Sequence, residues 1–516
     1  MTDAWANSGL DLHLALDARR KTDSLESALR DMIRDGRLAP GTRMPATRSL
    51  ARDLGIARNS VAEVYGRLIG EGWLEARTGA GTWVAATASG LGRGDGARAA
   101  GGVGRSPDAA GAPGTLDFGR TLPSSLGDTA TSAIRLDLRA GIPDTSAFPR
   151  SAWASALRRA AVNAPVADLG YGDAAGVATL RGTLASYLGR ARGAVADVST
   201  VHVTHGAGHA VRLVAAALVR AGARRVAVEE YGHLPHRDIL EAAGLEIVSL
   251  PVDDAGAVIE RLDELDADAV SLTPAHQFPT GVALSPARRT AVVQWAERTG
   301  GIVIEDDYDG EFRFDRRAVG ALQSLSPARV VYIGTASKAL GPAVGLGWCV
   351  LPHSLVGAVS EERDRDGAKP GALTQLALAE FIQHGDYDRA VRGSRARYRE
   401  RRQHLESVVA ERIPDARLTG MAAGLHCLLE LPQGIREADV VRHADAAGLA
   451  IAGLEWFLVA PPGVGDEPAA RSSTGPGIRA NVPARQAIVV GFGAPPPHRF
   501  EEAVDTAIAA IQRAGR

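Results

Sequence analysis

Three side chains, Lys338, Asp306 and Tyr308, carry the functional groups that a pyridine-ring aldehyde such as pyridoxal phosphate needs. An amine forms a Schiff base with the aldehyde, a carboxylate keeps the ring nitrogen protonated, and a donor faces the ring oxygen. Lys338 follows Gly-Thr-Ala-Ser, whereas Asp306 and Tyr308 end the earlier β-rich run GIVIEDDY. Each residue alone is more often a surface charge or part of a turn. The prediction of a cofactor site therefore rests on their combination.

Two nearby segments offer contacts for the phosphate of such a cofactor. The hydroxyls of Thr335 and Ser337 precede the lysine. The turn formed by Gly206, Ala207 and Gly208 opens a predicted helix, and the N-terminal amides of a helix form an anion site. We predict that both segments border the cofactor.

An α/β sheet must position these residues. From about residue 132 to residue 516, short β-rich runs alternate with amphipathic helical patterns, which predicts a parallel α/β domain. Ligands of such sheets bind at the carboxyl ends of strands, and polar segments begin there at Thr273, Glu305 and Gly334. The preceding residues 86–131 are rich in Gly and Ala and poor in large apolar side chains. They are predicted to form a flexible linker.

Residues 12–85 have the pattern of a winged helix-turn-helix, an α+β domain. Two helices separated by Gly55, the second capped by Asn59, precede two short strands around Thr-Gly-Ala-Gly, which predict a wing. Residues 42–60 contain four arginines and one acidic residue, a balance that suits phosphate contacts but also an ordinary solvated helix face. The predicted DNA-binding residues are Arg48, Arg58, Asn59, Ser60, Gly79 and Gly81.

Bulk properties set outer limits. At 516 residues the chain is longer than one hydrophobic core usually serves, so we expect a multidomain protein. There is no run of about 18 apolar residues and no basic, then apolar, N-terminal pattern. We therefore expect a cytoplasmic protein without a membrane partner. Cys349 and Cys427 lie in apolar stretches, which favours buried thiols in a reducing compartment.

Two histidine pairs have spacings at which metal ligands share a helix face. His205 and His209 are four residues apart, and His233 and His236 are three apart. No cysteine cluster and no HExxH motif accompanies them in the sequence. We predict no metal site.

The order of these domains resembles the MocR-type branch of the GntR family of bacterial transcription regulators, in which a winged helix-turn-helix is fused to a fold-type-I aminotransferase-like domain. The resemblance runs through RMPATRSLARDLGIARNSVAEVY, YGDAAGVATLRGTLASYLGRARG, TPAHQFPTG, IEDDYDGEFRF and GTASKALGPAVGLGW. It implies that pyridoxal phosphate is bound as an aldimine on Lys338, with Asp306 at the pyridine nitrogen and Tyr308 at the ring oxygen.

The resemblance also implies the partners. They are double-stranded operator DNA, a second copy of the chain, and either an amine or amino-acid effector or the cofactor itself. In the implied homodimer, the DNA-binding domain of one subunit packs near the aminotransferase-like domain of the other. The chain is then a regulator and not an enzyme.

The sequence departs from the family pattern at several positions. Gly345 stands seven residues after the lysine, where the family usually has a phosphate-binding arginine. Loss of such a charge-assisted contact weakens cofactor binding by about 2 kcal/mol. His233 replaces the tyrosine that stacks on the ring, and Ala174 replaces the proline of the usual Tyr-Gly-Asp-Pro. Phe278 stands where working aminotransferases have an asparagine that contacts the ring oxygen.

Two alternatives follow from these departures. In the first, the regulator has a pocket that binds another ligand and no pyridoxal phosphate. In the second, which Phe278 and the helix-turn-helix disfavour, the chain is an active aminotransferase. Arg471, Arg479 and Arg485 are then candidates to bind a substrate carboxylate.

Overall fold

The computed structural model describes residues 21–34, 37–77, 81–85, 135–314, 319–459 and 485–516. Gly79, Arg471, Arg479 and the whole predicted linker, residues 86–131, lie outside the described residues. The predicted domain boundaries therefore stay predictions.

Three helices and a hairpin form the N-terminal domain. They are α1 (Lys21–Arg34), α2 (Thr47–Leu54), α3 (Arg58–Gly70), β1 (Leu74–Arg77) and β2 (Gly81–Val84). Helix α2 ends at Gly55, which adopts the left-handed conformation, and the antiparallel strands place Leu74 opposite Val84. This confirms the winged helix-turn-helix. The prediction that Asn59 caps the second helix is wrong, because α3 already begins at Arg58 and the cap residue is Ala57.

The larger domain contains eleven further helices among the described residues. They are α4 (Arg150–Asn163), α5 (Ala178–Arg192), α6 (Ala207–Arg220), α7 (Leu234–Ala242), α8 (Leu262–Leu265), α9 (Pro286–Thr299), α10 (His353–Asp366), α11 (Ala372–Gln383), α12 (Asp386–Arg412), α13 (Glu437–Ala446) and α14 (Phe500–Ala514). Where the structure describes the chain, no helix is long and apolar enough to cross a membrane.

The strands of this domain alternate with the helices along the chain. They are β3 (Leu136–Asp137), β4 (Val201–Thr204), β5 (Arg225–Glu229), β6 (Glu246–Leu250), β7 (Val252–Asp253), β8 (Gly256–Ala257), β9 (Ala269–Leu272), β10 (Ile302–Asp306), β11 (Val330–Thr335), β12 (Gly347–Val350), β13 (Arg417–Thr419), β14 (His426–Glu430), β15 (Leu449–Ala450), β16 (Ala452–Gly453) and β17 (Ala487–Gly491).

Seven strands form the main sheet in the order β4-β12-β11-β10-β9-β5-β6. Strands β6, β5, β9, β10 and β11 are parallel, as predicted, whereas β12 is antiparallel to both of its neighbours. The sheet is therefore mixed and not wholly parallel. The connection from β11 to β12, residues 336–346, contains no α-helix that could cross over the sheet, so the chain returns as a hairpin. That hairpin loop contains Lys338.

A smaller antiparallel sheet, β13-β14-β17-β16, lies towards the C-terminal end of the chain. Helices α12 and α14 contribute apolar residues to the same hydrophobic cluster as β14 and β17. Strand pairs β3–β15 and β7–β8 complete the described strands. Cys349 and Cys427 are buried free thiols, as predicted, and burial raises the pKa of each thiol to about 12.

The N-terminal domain packs against the larger domain of the same chain. A Cβ at Gly72 would lie 3.4 Å from Thr290 Oγ1 of α9, and a Cβ at Gly320 would lie 2.8 Å from Glu71 Cδ. The Glu71 carboxylate is buried in this contact and accepts hydrogen bonds of 2.7–3.0 Å from Arg30. The predicted exchange of the domains between two subunits stays a prediction.

Candidate functional site

Neighbouring strands of the main sheet place the predicted cofactor residues at one edge. Strands β10 and β11 are parallel, with Asp306 opposite Ile333, so both strands end at the same edge of the sheet. Asp306 is the last residue of β10 and Thr335 the last of β11, and Lys338 follows in the turn after β11. This is the edge at which ligands of α/β sheets bind.

Lys338 is held by a backbone carbonyl at this edge. Its Nζ donates a hydrogen bond of 2.6 Å to the Gly141 oxygen. A Cβ at Gly141 would lie 3.9 Å from this Nζ and 3.8 Å from the Phe278 ring. Burial lowers the pKa of Lys338 below its ordinary 10.5, and the charges of Asp306 and Asp309 oppose that shift. Lys338 is therefore a half-buried amine near carboxylates and not a solvated surface charge.

Asp306 lies among histidines and has one oxygen without a partner. Its Oδ2 is 3.3 Å from His236 Nδ1, whereas its buried Oδ1 has no hydrogen-bond partner among the described residues. The rings of His236 and His233 are in edge contact, with centroids 4.5 Å apart. Burial lowers the pKa of His233 to about 3, so its ring is neutral at physiological pH. An acceptor with an unused lone pair thus lies at the same edge of the main sheet as Lys338.

Tyr308 is the third predicted residue of the pocket. Its hydroxyl donates to the His276 carbonyl oxygen at 3.1 Å and lies 3.2 Å from His276 Nδ1. Burial raises the pKa of Tyr308 well above its usual 10, and the charges of Asp309 and Asp306 act in the same direction. Its ring is 5.8 Å from that of Phe278, which in turn is 6.0 Å from His233. Phe278 therefore connects the residues that surround the pocket.

The predicted phosphate contacts come together at a second corner. Gly347, the first residue of β12, pairs with Thr204 on one side and with Thr335 on the other. This register brings Gly206, Ala207 and Gly208, at the start of α6, next to the turn after β11. Ser337 donates its backbone N–H to Thr335 Oγ1 at 3.1 Å, and the two hydroxyls are 2.9 Å apart. The corner offers backbone amides and two hydroxyls to an anion.

Gly345 leaves room at the same corner. It adopts the left-handed conformation, with φ of 64°, and no heavy atom lies within 4 Å of the position that a Cβ would take. Arg485, proposed for a substrate carboxylate, instead forms an ion pair with Glu430. Neither Gly345 nor Arg485 therefore supplies a cation to the corner between the start of α6 and the turn after β11.

The predicted DNA-contact residues that the structure describes lie at the surface of the N-terminal domain. Arg48 is exposed in the first turn of α2, and Arg58 and Asn59 are exposed in the first turn of α3. Ser60 is half-buried beside them, and Gly81 is exposed at the start of β2. Together they form one end of the helix pair and one side of the wing.

Several residues of the pocket had no assigned role in the sequence. His236 contacts Asp306, and His276 and Asp309 contact Tyr308 or its neighbours. His276 follows Thr273 at the end of β9, so the strand-end pattern pointed to its place. His426 comes from β14, far along the chain, and no local pattern indicated it.

Comparison with known proteins agrees with this architecture. Residues 133–447 match the family "Aminotransferase class I and II", and residues 21–84 match "Bacterial regulatory proteins, gntR family". The "probable rhizopine catabolism regulatory protein MocR" of Rhizobium meliloti is 32% identical over 441 residues, which are 85% of this chain and 87% of that protein. The chain belongs to the MocR-type branch of the GntR family.

Two further comparisons agree with this assignment to the family and its fold. The "HTH-type pyridoxine biosynthesis transcriptional regulator PdxR" of Corynebacterium glutamicum is 30% identical over 454 residues, 87% of this chain and 91% of that protein. The solved kynurenine aminotransferase of Pyrococcus horikoshii has a TM-score of 0.63 at 22% identity and covers 75% of this chain and 92% of its own. That likeness shows the fold-type-I aminotransferase fold. The predicted family and fold class are confirmed, and the two relatives reported above, which match most of the chain, are named regulators.

Proposed function

We propose that this chain is a transcription regulator that binds operator DNA and holds pyridoxal phosphate at Lys338. The cofactor itself, or an amine or amino-acid effector that reacts with it, is the signal. One observation carries the proposal: the Lys338 amine, the buried Asp306 oxygen without a partner and the Tyr308 hydroxyl lie at the same edge of the main sheet. That edge belongs to a chain that presents Arg58 at the start of a recognition helix.

The residues of the pocket fit the ring of the cofactor. When bound, pyridoxal phosphate supplies an aldehyde that combines with amines. Asp306 Oδ1 would accept a hydrogen bond from the protonated ring nitrogen, and Lys338 would supply the amine. The Tyr308 hydroxyl would donate to the ring oxygen in place of the His276 carbonyl. The lowered pKa of Lys338 favours the neutral, nucleophilic amine. His233 packs beside the ring as an uncharged surface.

The phosphate corner fits less completely and favours a second candidate. This corner offers an anion the backbone amides of Gly206, Ala207 and Gly208 and the hydroxyls of Thr335 and Ser337. Position 345 adds no cation to these groups. In the second candidate function, the regulator senses an uncharged or differently charged ligand in the same pocket. Comparing pyridoxal with pyridoxal phosphate distinguishes the two, because only the second has the anion.

For DNA, the first turn of α3 enters the major groove, where Arg58 and Asn59 meet base edges or phosphates. Arg48 and the wing residue Gly81 approach the backbone. Ser60, half-buried, contributes its hydroxyl and amide.

A packed route joins the pocket to the DNA-binding domain. Asp307 follows Asp306 and forms two hydrogen bonds with Arg192, of 2.6 and 2.9 Å. The next residue, Gly193, lies against Arg30 of α1: a Cβ there would be 3.2 Å from Arg30 Cζ. A shift of the strand end on ligand binding therefore reaches the surface on which the DNA-binding domain rests, and this is how we propose that occupancy changes operator affinity.

A homodimer is part of the proposal, and an exposed apolar patch supports it. This patch consists of Val162 in the last turn of α4 and of Val166, Leu169 and Tyr171 in the segment between α4 and α5, with Val166 87% exposed and Tyr171 wholly exposed. Clustered apolar side chains on a surface usually mark an interface. A second copy covering this patch also presents two winged helices to two operator half-sites.

The cofactor part is tested by absorption spectroscopy. Purified protein and Lys338→Ala are titrated with pyridoxal phosphate between about 300 and 500 nm. We expect saturable new absorption in the parent protein and only the spectrum of free cofactor in the variant. Identical spectra for the two proteins would contradict the cofactor assignment and favour the second candidate.

The DNA part is tested separately. Genomic DNA fragments of the encoding organism are selected on the full-length protein, and the recovered site is titrated with Arg58→Ala. We expect a loss of about 1–3 kcal/mol, roughly 5- to 150-fold in affinity, typical of one good base contact. Arg513→Ala, which changes an exposed arginine in the last turn of α14, is the matched control and should bind like the parent. Equal binding by Arg58→Ala and the control would refute the placement of α3 in the groove.

A further inference from the structure

Beside Tyr308, the buried side chains of His276, Asp309 and His426 form a group that neither the cofactor nor the DNA proposal uses. His276 Nδ1 is 2.8 Å from Asp309 Oδ2, and the His276 and His426 rings have centroids 4.9 Å apart. One donor atom from each of these residues lies within 4.8 Å of the other two, and all three residues are buried. His276 and Asp309 follow strands of the main sheet, whereas His426 begins β14 of the smaller sheet.

An ordinary hydrogen-bonded arrangement does not satisfy this group. The contact between His276 and Asp309 gives a hydrogen-bond partner to only one nitrogen and one oxygen of the group. Nε2 of His276 lacks a hydrogen-bond partner among the residues that the structure describes. The Pro279 carbonyl is near one ring nitrogen of the fully buried His426, which leaves the other ring nitrogen without a partner there. A buried polar group without a partner costs about 1–3 kcal/mol.

The backbone around the group is shaped to leave space for it. Gly424 has φ of 71°, and a Cβ there would overlap both Asp309 Oδ2 and the His276 ring. A Cβ at Gly281 would lie 3.3 Å from His276 Nε2.

We propose that His276, Asp309 and His426 bind a divalent transition-metal ion of the zinc class. Two neutral imidazoles and one carboxylate are a donor set that Zn²⁺, Co²⁺ and Fe²⁺ accept, with a water molecule in the fourth position. Tetrahedral zinc places its ligand atoms about 3.4 Å apart, so His276 and Asp309 separate by about half an ångström and His426 moves in. The ion replaces the bond between His276 and Asp309 and satisfies the nitrogen of His426 that turns to it. Asp309 neutralises one of its two positive charges.

The experiment uses full-length protein without a histidine tag, stripped with chelator and titrated with Co²⁺, which reports its coordination by visible absorption. We expect one Co²⁺ per chain, displaced by Zn²⁺. His276→Gln and His426→Gln should each weaken binding by about 100-fold or more, because even outer-shell partners of a metal are worth about 10- to 100-fold. His202→Gln is the matched control: His202 is buried in β4 and its Nδ1 also lacks a partner among the described residues, but it lies outside the group.

Asp309→Asn provides an independent variant if a histidine variant fails to fold, as judged by circular dichroism. It keeps the shape of the side chain, removes the charged ligand and should also lose the Co²⁺ spectrum. Absence of stoichiometric binding in the parent protein would overturn the proposal, as would parent-like binding by folded variants of these residues. The measurement needs neither pyridoxal phosphate nor DNA, so its outcome is independent of the proposed function.

Discussion

Replacing Gly345 with arginine tests whether the phosphate corner is correctly placed. The position has φ of 64° and no heavy atom within 4 Å of where a Cβ would lie, so a side chain has room but the backbone is strained. That strain costs about 1–2 kcal/mol of folding free energy. Because it is present with and without ligand, it does not reduce binding. A charge-assisted contact with a phosphate contributes about 1.5–3 kcal/mol.

The two effects separate in two assays. Urea unfolding of the unliganded Gly345→Arg protein should show a free energy of unfolding lower by about 1–2 kcal/mol. Absorption titration should show affinity for pyridoxal phosphate raised about 10- to 100-fold, and little change for pyridoxal, which lacks the anion. Gly345→Ala carries the strain without the charge and serves as the control.

The ratio of the two affinities decides the outcome. If Gly345→Arg binds pyridoxal phosphate no more tightly than Gly345→Ala does, the corner bounded by α6 and the turn after β11 does not bind the phosphate. An equal gain for pyridoxal and pyridoxal phosphate would also refute the reasoning, since the new charge would then act elsewhere.

Three further predictions follow from the contacts described. Val166→Asp should raise the dimer dissociation constant about tenfold or more, measured by light scattering over a dilution series, because it introduces a charge into the apolar patch. Capture of pyridoxal by Lys338 should rise with pH through a midpoint below 10.5, since burial lowers the pKa of this amine, and Asp306→Asn should move the midpoint lower still, since the carboxylate raises that pKa. Glu71→Ala should lower the free energy of unfolding of the DNA-binding domain by about 3 kcal/mol, because Arg30 stays buried with one carboxylate fewer.

Each of these has an outcome that contradicts it. A dimer of unchanged affinity in Val166→Asp would place the interface elsewhere. A capture midpoint in Asp306→Asn that moves upward would mean that Asp306 does not act on Lys338 by charge. A parent-like urea transition in Glu71→Ala would show that the contact with Arg30 adds nothing to stability.

Local pattern predicted much of the larger domain because its site follows a strand-end rule. Lys338, Asp306 and Tyr308 each follow a recognisable β-rich run, and parallel strands bring their carboxyl ends to one edge. The orientation of β12 was not predicted, because an apolar run does not record its direction. Only the connection that contains Lys338, which has no α-helix that could cross over the sheet, fixes it as antiparallel.

Contacts between distant segments could not be predicted from the sequence. His426 reaches His276 from a different sheet, so their proximity depends on how the two sheets pack and on the open space at Gly424. The cap of α3 was misassigned for a local reason: Asn59 is a favourable cap residue, yet the helix starts before it, at Arg58, without a side-chain cap. The burial of Glu71 against Gly320 likewise depends on how two domains pack, which periodicity within either domain does not encode.

The most direct test of sensing through Lys338 is operator affinity measured by fluorescence anisotropy, with and without saturating pyridoxal phosphate, for the parent protein and Lys338→Ala. We predict that the cofactor changes the affinity of the parent about fivefold or more, a typical coupling between two sites, and leaves the variant unchanged. Equal affinity with and without cofactor in the parent protein, or the same change in both proteins, would contradict sensing through this lysine.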